Sequence, residues 1–253
     1  MSIENKRNNH MRRSYAKYWI RARSDHYGFM PYDQALIDLV ERSVRNKPTK
    51  ILEVGIGTGW PIAATLSREG QQVFGVDIAS SLIAKCNEDW PNIEADVGDA
   101  AALRYEDNCF ELTYCVHTSW LLPNLTKSIE EMCRVTSTQG SILIDIMNLN
   151  NPFISKVYKQ HVFENTNLLG KIYKTIKNLT KFIFRRGTQD WPFLISYDPV
   201  DPDEIINLIS RFGGSDFTLY GWQGKYLKEL TISDKNSHDE FDRVVVCCRL
   251  QKA

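Results

Sequence analysis

Apolar residues along this chain fall into short runs separated by amphipathic segments, and that alternation predicts an α/β fold. "YDQALIDLVERSV" puts Ala35, Leu36, Leu39, Val40 and Val44 on one side of a helix. "NKPTK" ends it, because Pro48 has no N–H and its ring clashes with the preceding turn. "KILEVG" then reads as a buried strand, "PIAATLSREG" as a helix closed by Gly70, and "QVFGVDI" as a second strand. "SSLIAKCNEDW" reads as a helix capped by Ser80 or Ser81. "IEADVGDAAAL" holds a short third strand and a turn. "FELTYCV" is the fourth strand, "LTKSIEEMCRV" the next helix and "GSILIDIMN" the fifth strand. Apolar strands alternating with helices imply a parallel sheet covered on both faces.

The rhythm breaks near residue 149. Residues 150–192 read as inserted helices rich in Lys, Phe and Tyr, and "DPVDPDEIINLISRFG" restarts the fold with a helix. "FTLYGW" and "DRVVVCCRL" read as late strands joined by the polar loop "KELTISDKNSHDEF", an antiparallel pair at the sheet edge. The expected architecture is a Rossmann-like, doubly wound sheet of about seven strands, mostly parallel with an antiparallel last strand. N-terminal helices and a helical cover insertion are added to it. Residues 1–34 form a basic N-terminal segment and lid helix, residues 35–253 a single domain, and residues 150–192 the cover.

Composition narrows the partners only a little. Lys+Arg and Asp+Glu are equal at 31 each, so net charge favours no polyanion. Six cysteines lack CxxC or metal-ligand spacing and lie largely in apolar runs, which implies buried thiols in a reducing compartment and no metal site. No apolar run approaches the roughly 20 residues of a membrane-spanning helix. The N-terminus is basic without an apolar signal core, so a soluble, cytoplasmic protein is expected.

The chemistry concentrates in "ILEVGIGTGWPIAATL", where strand one turns into a helix through Gly55, Gly57 and Gly59. Glycine permits the sharp turn and the close approach of a ligand, and open parallel sheets bind ligands at strand C-terminal ends. A tight turn without a ligand is the plain alternative. A dinucleotide is the main rival, but its fingerprint is GxGxxG. Here the third glycine comes one residue early, Trp60 would crowd a pyrophosphate, and Glu53 suits a cationic group.

These residues resemble the first motif, E/DxGxGxG, of the class I S-adenosylmethionine-dependent methyltransferases. The likeness covers about residues 35–148 and points to small-molecule enzymes like the ubiquinone/menaquinone methyltransferase-like group. It implies that Glu53, Gly55, Gly57 and Gly59 hold the methionine end of the cofactor. Asp77, with Ile78 beside it, ends strand two, where a carboxylate accepts from both ribose hydroxyls. A dehydrogenase uses that position similarly. "ADVGDAAALRY" resembles the family's adenine segment, with Asp99 accepting from the amino group and the Ala100 amide donating to the ring. Val116 ends strand four beside the cofactor. Only the "KPGG" turn departs, as "TSTQG" around Gly140.

The resemblance implies in-line methyl transfer from the sulfonium, leaving S-adenosylhomocysteine. His117, just after strand four, is the candidate base for a hydroxyl acceptor, and a turn-supporting polar residue is its other reading. His161 in the insertion is a candidate acceptor contact. Tyr18, with Tyr15 and Trp19, is a candidate cofactor lid. Residues 168–186 combine helically spaced apolar residues with Lys and Arg, so they read as a basic acceptor cover, a peripheral membrane contact or a solvated helix face. The expected acceptor is an oxygen or nitrogen of a small molecule or glycan precursor, possibly in anionic form. Nucleic acid is disfavoured, as no RNA-binding module is visible. A nicotinamide-dependent oxidoreductase and a non-catalytic S-adenosylmethionine-binding partner protein are the alternatives. The oligomeric state is not legible.

Overall fold

A computed structural model describes residues 33–44, 49–166, 169–170, 172, 198–223, 226–231 and 239–252. Six helices run through them: α1 (Asp33–Ser43), α2 (Ile62–Arg68), α3 (Ser80–Asp89), α4 (Leu125–Val135), α5 (Pro152–Thr166) and α6 (Pro202–Ser210). The strands are β1 (Lys50–Val54), β2 (Gln72–Asp77), β3 (Glu94–Val97), β4 (Phe110–Cys115), β5 (Thr136–Met147), β6 (Gly214–Gln223), β7 (Tyr226–Leu230) and β8 (Arg243–Leu250). They form one sheet in the order β3-β2-β1-β4-β5-β8-β6-β7. Pairing is parallel from β3 to β5 and antiparallel from β5 through β8 and β6 to β7.

Successive strand residues face opposite sides, and here both sides are buried. On one side Leu52, Val54, Ile142 and Ile144 pack with Ile129 and Met132 of α4 and Ile205 and Ile209 of α6. On the other, Ile51, Leu112, Leu143 and Val245 pack with Leu36 and Val40 of α1, Leu66 of α2 and Ile83 of α3. Two sided burial explains why the parallel strands read as unbroken apolar runs.

Caps set where helices begin. The Asn124 side chain accepts from the Lys127 amide at 3.1 Å at the start of α4. Asp201 accepts from Asp203 at 2.9 Å at the start of α6, with Pro202 as the first helical residue. The start of α3 differs from the expectation. Ser80 and Ser81 lie inside the helix, and the cap position is Ala79, whose N–H goes to Asp77 Oδ1 at 2.8 Å.

The sheet has eight strands where the pattern suggested about seven, and its last three strands in sequence are all antiparallel. The additional one, β7, runs into the stretch read as a polar loop. "YLKEL" is an edge strand with three of its five residues exposed, so burial left no apolar alternation to read. The two expected late strands do pair, as β6 with β8, but β8 lies inside the sheet between β5 and β6. "TSTQG" belongs to β5, which starts at Thr136 and shifts register opposite β4.

The N-terminal segment containing Tyr18 lies outside the described residues, as does most of 168–186. His161 falls within α5, but its side chain is also outside them. No helix among the described residues is long and apolar enough to cross a membrane. All six cysteines are free, four of them buried.

Leu143 is fully buried at the centre of β5. Leu143→Ala leaves a cavity between the sheet and α1–α3 and is expected to destabilise the fold by about 2–5 kcal/mol. Urea unfolding followed by far-UV circular dichroism measures this.

Candidate functional site

Strand order reverses between β1 and β4, and a crevice opens at their C-terminal ends. Gly55, Gly57 and Gly59 all take left-handed backbone angles, with φ of 80°, 58° and 77°. Their physical reasons differ. A Cβ on Gly55 would lie 2.3 Å from Thr118 Cγ2, so this glycine lets the turn close against the segment after β4. A Cβ on Gly59 would lie 2.8 Å from Cys86 Sγ, so Gly59 serves the packing of α3 and does not line the crevice. The Gly57 amide donates to Asp77 Oδ2 at 3.1 Å and ties the turn to the end of β2.

The crevice comprises two adjoining cavities. One is bounded by Glu53, Trp60, Ile62, Leu82, Val116 and His117. The other is bounded by Ile78, Gly98, Asp99, Ala100 and Leu122. Gly55, Asp77, Thr118 and Leu121 border both. The structure therefore brings Glu53, Gly55, Gly57, Asp77, Ile78, Asp99, Ala100, Val116 and His117 to one crevice.

Each acid at the crevice has its own environment. Glu53 is buried and accepts from the Tyr114 hydroxyl at 2.8 Å. Burial pushes that phenol well above its ordinary range, so Tyr114 remains a donor. Asp77 is half-buried. Desolvation pushes its carboxyl up to about 6, although the amides of Ala79 and Gly57 pull the other way. Asp99 Oδ1 accepts from the Ala101 amide at 2.9 Å, which folds the turn that presents Ala100.

Trp60 forms one wall, stacked on Trp90 with ring centroids 5.7 Å apart. Arg68 lies over the Trp90 ring at 4.7 Å. A bulky indole therefore occupies the position beside the glycine turn that a dinucleotide's pyrophosphate would need.

His117 borders the first cavity with φ of 57°, a left-handed angle uncommon for a side-chain-bearing residue. Its amide donates to Asp145 Oδ2 at 3.2 Å. Its Nδ1 lies 2.9 Å from Arg243 Nη2, and its Nε2 lies 3.7 Å from Asp33 Oδ1. Burial is the main cause holding the imidazole below its ordinary 6.5. The Arg243 charge adds to that effect, and Asp33 and Asp145 oppose it.

Sequence reasoning missed Thr118, Asp33, Asp145, Trp222 and Arg243. Only Asp145 left a local sign, an acid inside the apolar run "ILIDIM". A carboxylate in a buried strand requires partners, and that requirement was readable. The identity of the partners was not, because Arg243 lies 98 residues downstream.

A Rossmann-like fold places its ligand crevice at the reversal of strand order, here between β1 and β4. Residues 52–144 match the model of a methyltransferase domain. A ubiquinone/menaquinone biosynthesis C-methyltransferase of Francisella philomiragia is 29% identical over 169 residues, spanning 60% of this chain and 66% of that protein. A demethylmenaquinone methyltransferase of Shouchella clausii is 27% identical over 186 residues, spanning 70% of this chain and 74% of that protein. Among solved structures, magnesium protoporphyrin IX methyltransferase from Synechocystis, with S-adenosylhomocysteine bound, aligns with a TM-score of 0.60 at 11% identity. That alignment covers 96% of this chain and 97% of the other, and it shows the shared fold. The match over residues 52–144 identifies a methyltransferase domain, and S-adenosylmethionine is its cofactor.

Gly55→Ala places a methyl group inside Thr118 and an alanine at positive φ. The backbone angle alone costs about 1–2 kcal/mol. The variant is expected to lose S-adenosylhomocysteine binding in calorimetry and to melt at a lower temperature than the parent chain.

Proposed function

We propose that the crevice holds S-adenosylmethionine along its length and delivers the methyl group to a small molecule entering beside Trp60 and His117. The observation that carries this reading is the position of Asp77, a carboxylate bordering both cavities. Its two oxygens take one backbone amide each, and a carboxylate has about four lone-pair sites. The Ile78 amide is also directed at the carboxylate, and lone-pair capacity remains for a ribose hydroxyl. The methionine end then lies toward Glu53 and the glycine turn, and adenine toward Asp99 and Ala100.

The chemistry is a displacement at the methyl carbon. The acceptor supplies an electron pair, forms the new bond to carbon and gives up its proton to solvent. The carbon–sulfur bond breaks, sulfur keeps its pair, and neutral S-adenosylhomocysteine leaves. The donor is activated by its own charge, so alignment is the protein's main contribution, and alignment supplies up to roughly 7–11 kcal/mol.

For the acceptor, the names of the curated relatives favour a quinone-precursor ring methylated at carbon. They lend no support to a glycan precursor or to the expected oxygen or nitrogen. A hydroxylated aromatic ring suits the apolar wall of Trp60, Ile62 and Leu82. Peripheral membrane contact through 168–186 fits an apolar acceptor and rests on the sequence of that stretch. Phe153 and Val157 of α5, both exposed, add apolar surface to the chain. A single domain over 35–253 with a cover at 150–192 and a cytoplasmic location complete the reading.

Calorimetry with S-adenosylmethionine and S-adenosylhomocysteine tests the cofactor site, and no binding at millimolar concentration sinks it. Methyl transfer from labelled cofactor to a demethylated quinol tests the acceptor.

The Asp77 carboxyl also sets a pH dependence. Its folded value of about 6 lies above the ordinary 3.8. Folding without cofactor therefore favours the protonated form, and this residue's contribution to stability falls as pH rises through that interval. Ribose hydroxyls donate to the ionised form, so cofactor binding moves the opposite way. S-adenosylhomocysteine affinity is expected to rise from pH 5 to 7, approaching about tenfold per unit below the folded value. Asp77→Asn should flatten that profile and weaken binding at pH 7.

A further inference from the structure

The groups around His117 form one connected cluster drawn from four elements. Asp145 of β5 is fully buried and accepts from Arg243 Nε at 3.2 Å, from Arg243 Nη2, from Trp222 Nε1 at 3.3 Å and from the His117 amide. Arg243 opens β8 and pairs with Met147, so it and Asp145 are diagonal neighbours on one face of the sheet. The guanidinium carbon lies 4.5 Å from the Trp222 ring and 5.0 Å from the Trp120 ring. Two indoles and a two-toothed carboxylate leave the fork little freedom to rotate.

A guanidinium has five N–H donors and no acceptor. At 2.9 Å from Arg243 Nη2, His117 Nδ1 must therefore offer a lone pair. A neutral ring then carries its proton on Nε2, which faces Asp33 of α1. Among the described residues, the charged groups that face the ring are Asp33 from α1, Asp145 from β5 and Arg243 from β8. The ring also lies 6.4 Å from Trp222 of β6. A general base needs an unprotonated nitrogen aimed at its substrate. Neither nitrogen of His117 meets that need in this arrangement.

We infer that Arg243 and Asp145 are positioning residues that lock His117 in its Nε2–H tautomer and thereby clamp the segment after β4 onto the cofactor crevice. The clamp has three successive points. The His117 amide binds Asp145, the Thr118 hydroxyl donates to the Gly55 carbonyl at 3.3 Å, and the Ser119 hydroxyl donates to the Asp145 carbonyl. Thr118 borders both cavities, so displacement of this segment reaches the cofactor. The assignment rests on the proposed cofactor site for its consequence, and on the cluster alone for the state of the ring. His117 is then no proton acceptor for methyl transfer, contrary to the role first suggested by its place in the sequence.

Long-range proton–nitrogen correlation spectra of the full chain, with ¹⁵N-labelled histidine, read the ring state directly. His117→Gln assigns its signals among the five histidines. The expected spectrum shows the Nε2–H tautomer, without titration near the ordinary 6.5. In Arg243→Met the ring should become a tautomer mixture and titrate closer to that value. S-adenosylhomocysteine affinity should fall about fivefold, as for coupling through one packed network. Arg243→Lys keeps the charge without the fork and should lie between the two.

An Nδ1–H ring, or ordinary titration, in the parent chain overturns the inference. So does an Arg243→Met ring unchanged in tautomer and titration. If Arg243→Met fails to fold, the parent spectrum and the Lys variant still decide. Failure of the parent chain to bind S-adenosylhomocysteine rejects the cofactor site and leaves the tautomer result standing.

Discussion

After β1 the chain leaves the sheet toward α2, and after β4 it leaves on the opposite side toward α4. The opening between those two exits is the constraint on which the site depends. Backbone must run along both of its edges, and nothing larger than a hydrogen fits on Gly55 where it faces Thr118. The ligand space is thus what remains when two adjacent parallel strands send their helices to opposite faces. The glycine turn and the segment carrying Val116, His117 and Thr118 are its two walls, and β2 supplies its floor through Asp77.

Three carboxylates near that opening are managed in three ways. Asp145 is compensated outright by a guanidinium, an indole N–H and an amide. Glu53 takes a buried phenol. Asp77 has only amides to offset its desolvation, and its carboxyl is accordingly pushed up to about 6. The least compensated acid borders both cavities. Additional hydroxyl donors at that point would relieve the desolvation that the fold alone leaves in place, which is a physical reason for a diol-bearing ligand to bind there.

Legibility in the sequence followed the range of the interactions. The glycine turn, the strands around it and the turn at Asp99 depend on neighbours a few residues away, so residue type and spacing revealed them. The alternation of helices and strands up to β5 was readable because two buried faces impose apolar runs. Beyond β5 the reading weakened. β7 is an exposed edge, and its sequence resembles a loop. Gly59 was assigned to the ligand because it shares the motif, whereas its contact with Cys86 comes from the packing of α3. The Asp33–His117–Arg243–Asp145 cluster joins residues brought together only by the final sheet order.

That cluster also bears on how methyl transfer proceeds at this site. With the ring nitrogens of His117 turned toward Arg243 and Asp33, the carboxylates of Glu53 and Asp77 are the other titratable groups that border the first cavity. A hydroxyl of ordinary acidity would be a poor nucleophile in such a place. An acceptor whose hydroxyl is already ionised in solution arrives as the nucleophile, at oxygen or at an ortho or para ring carbon, and in the latter case loses the ring proton to solvent after the transfer. In-line alignment against an activated sulfonium is then the chief requirement.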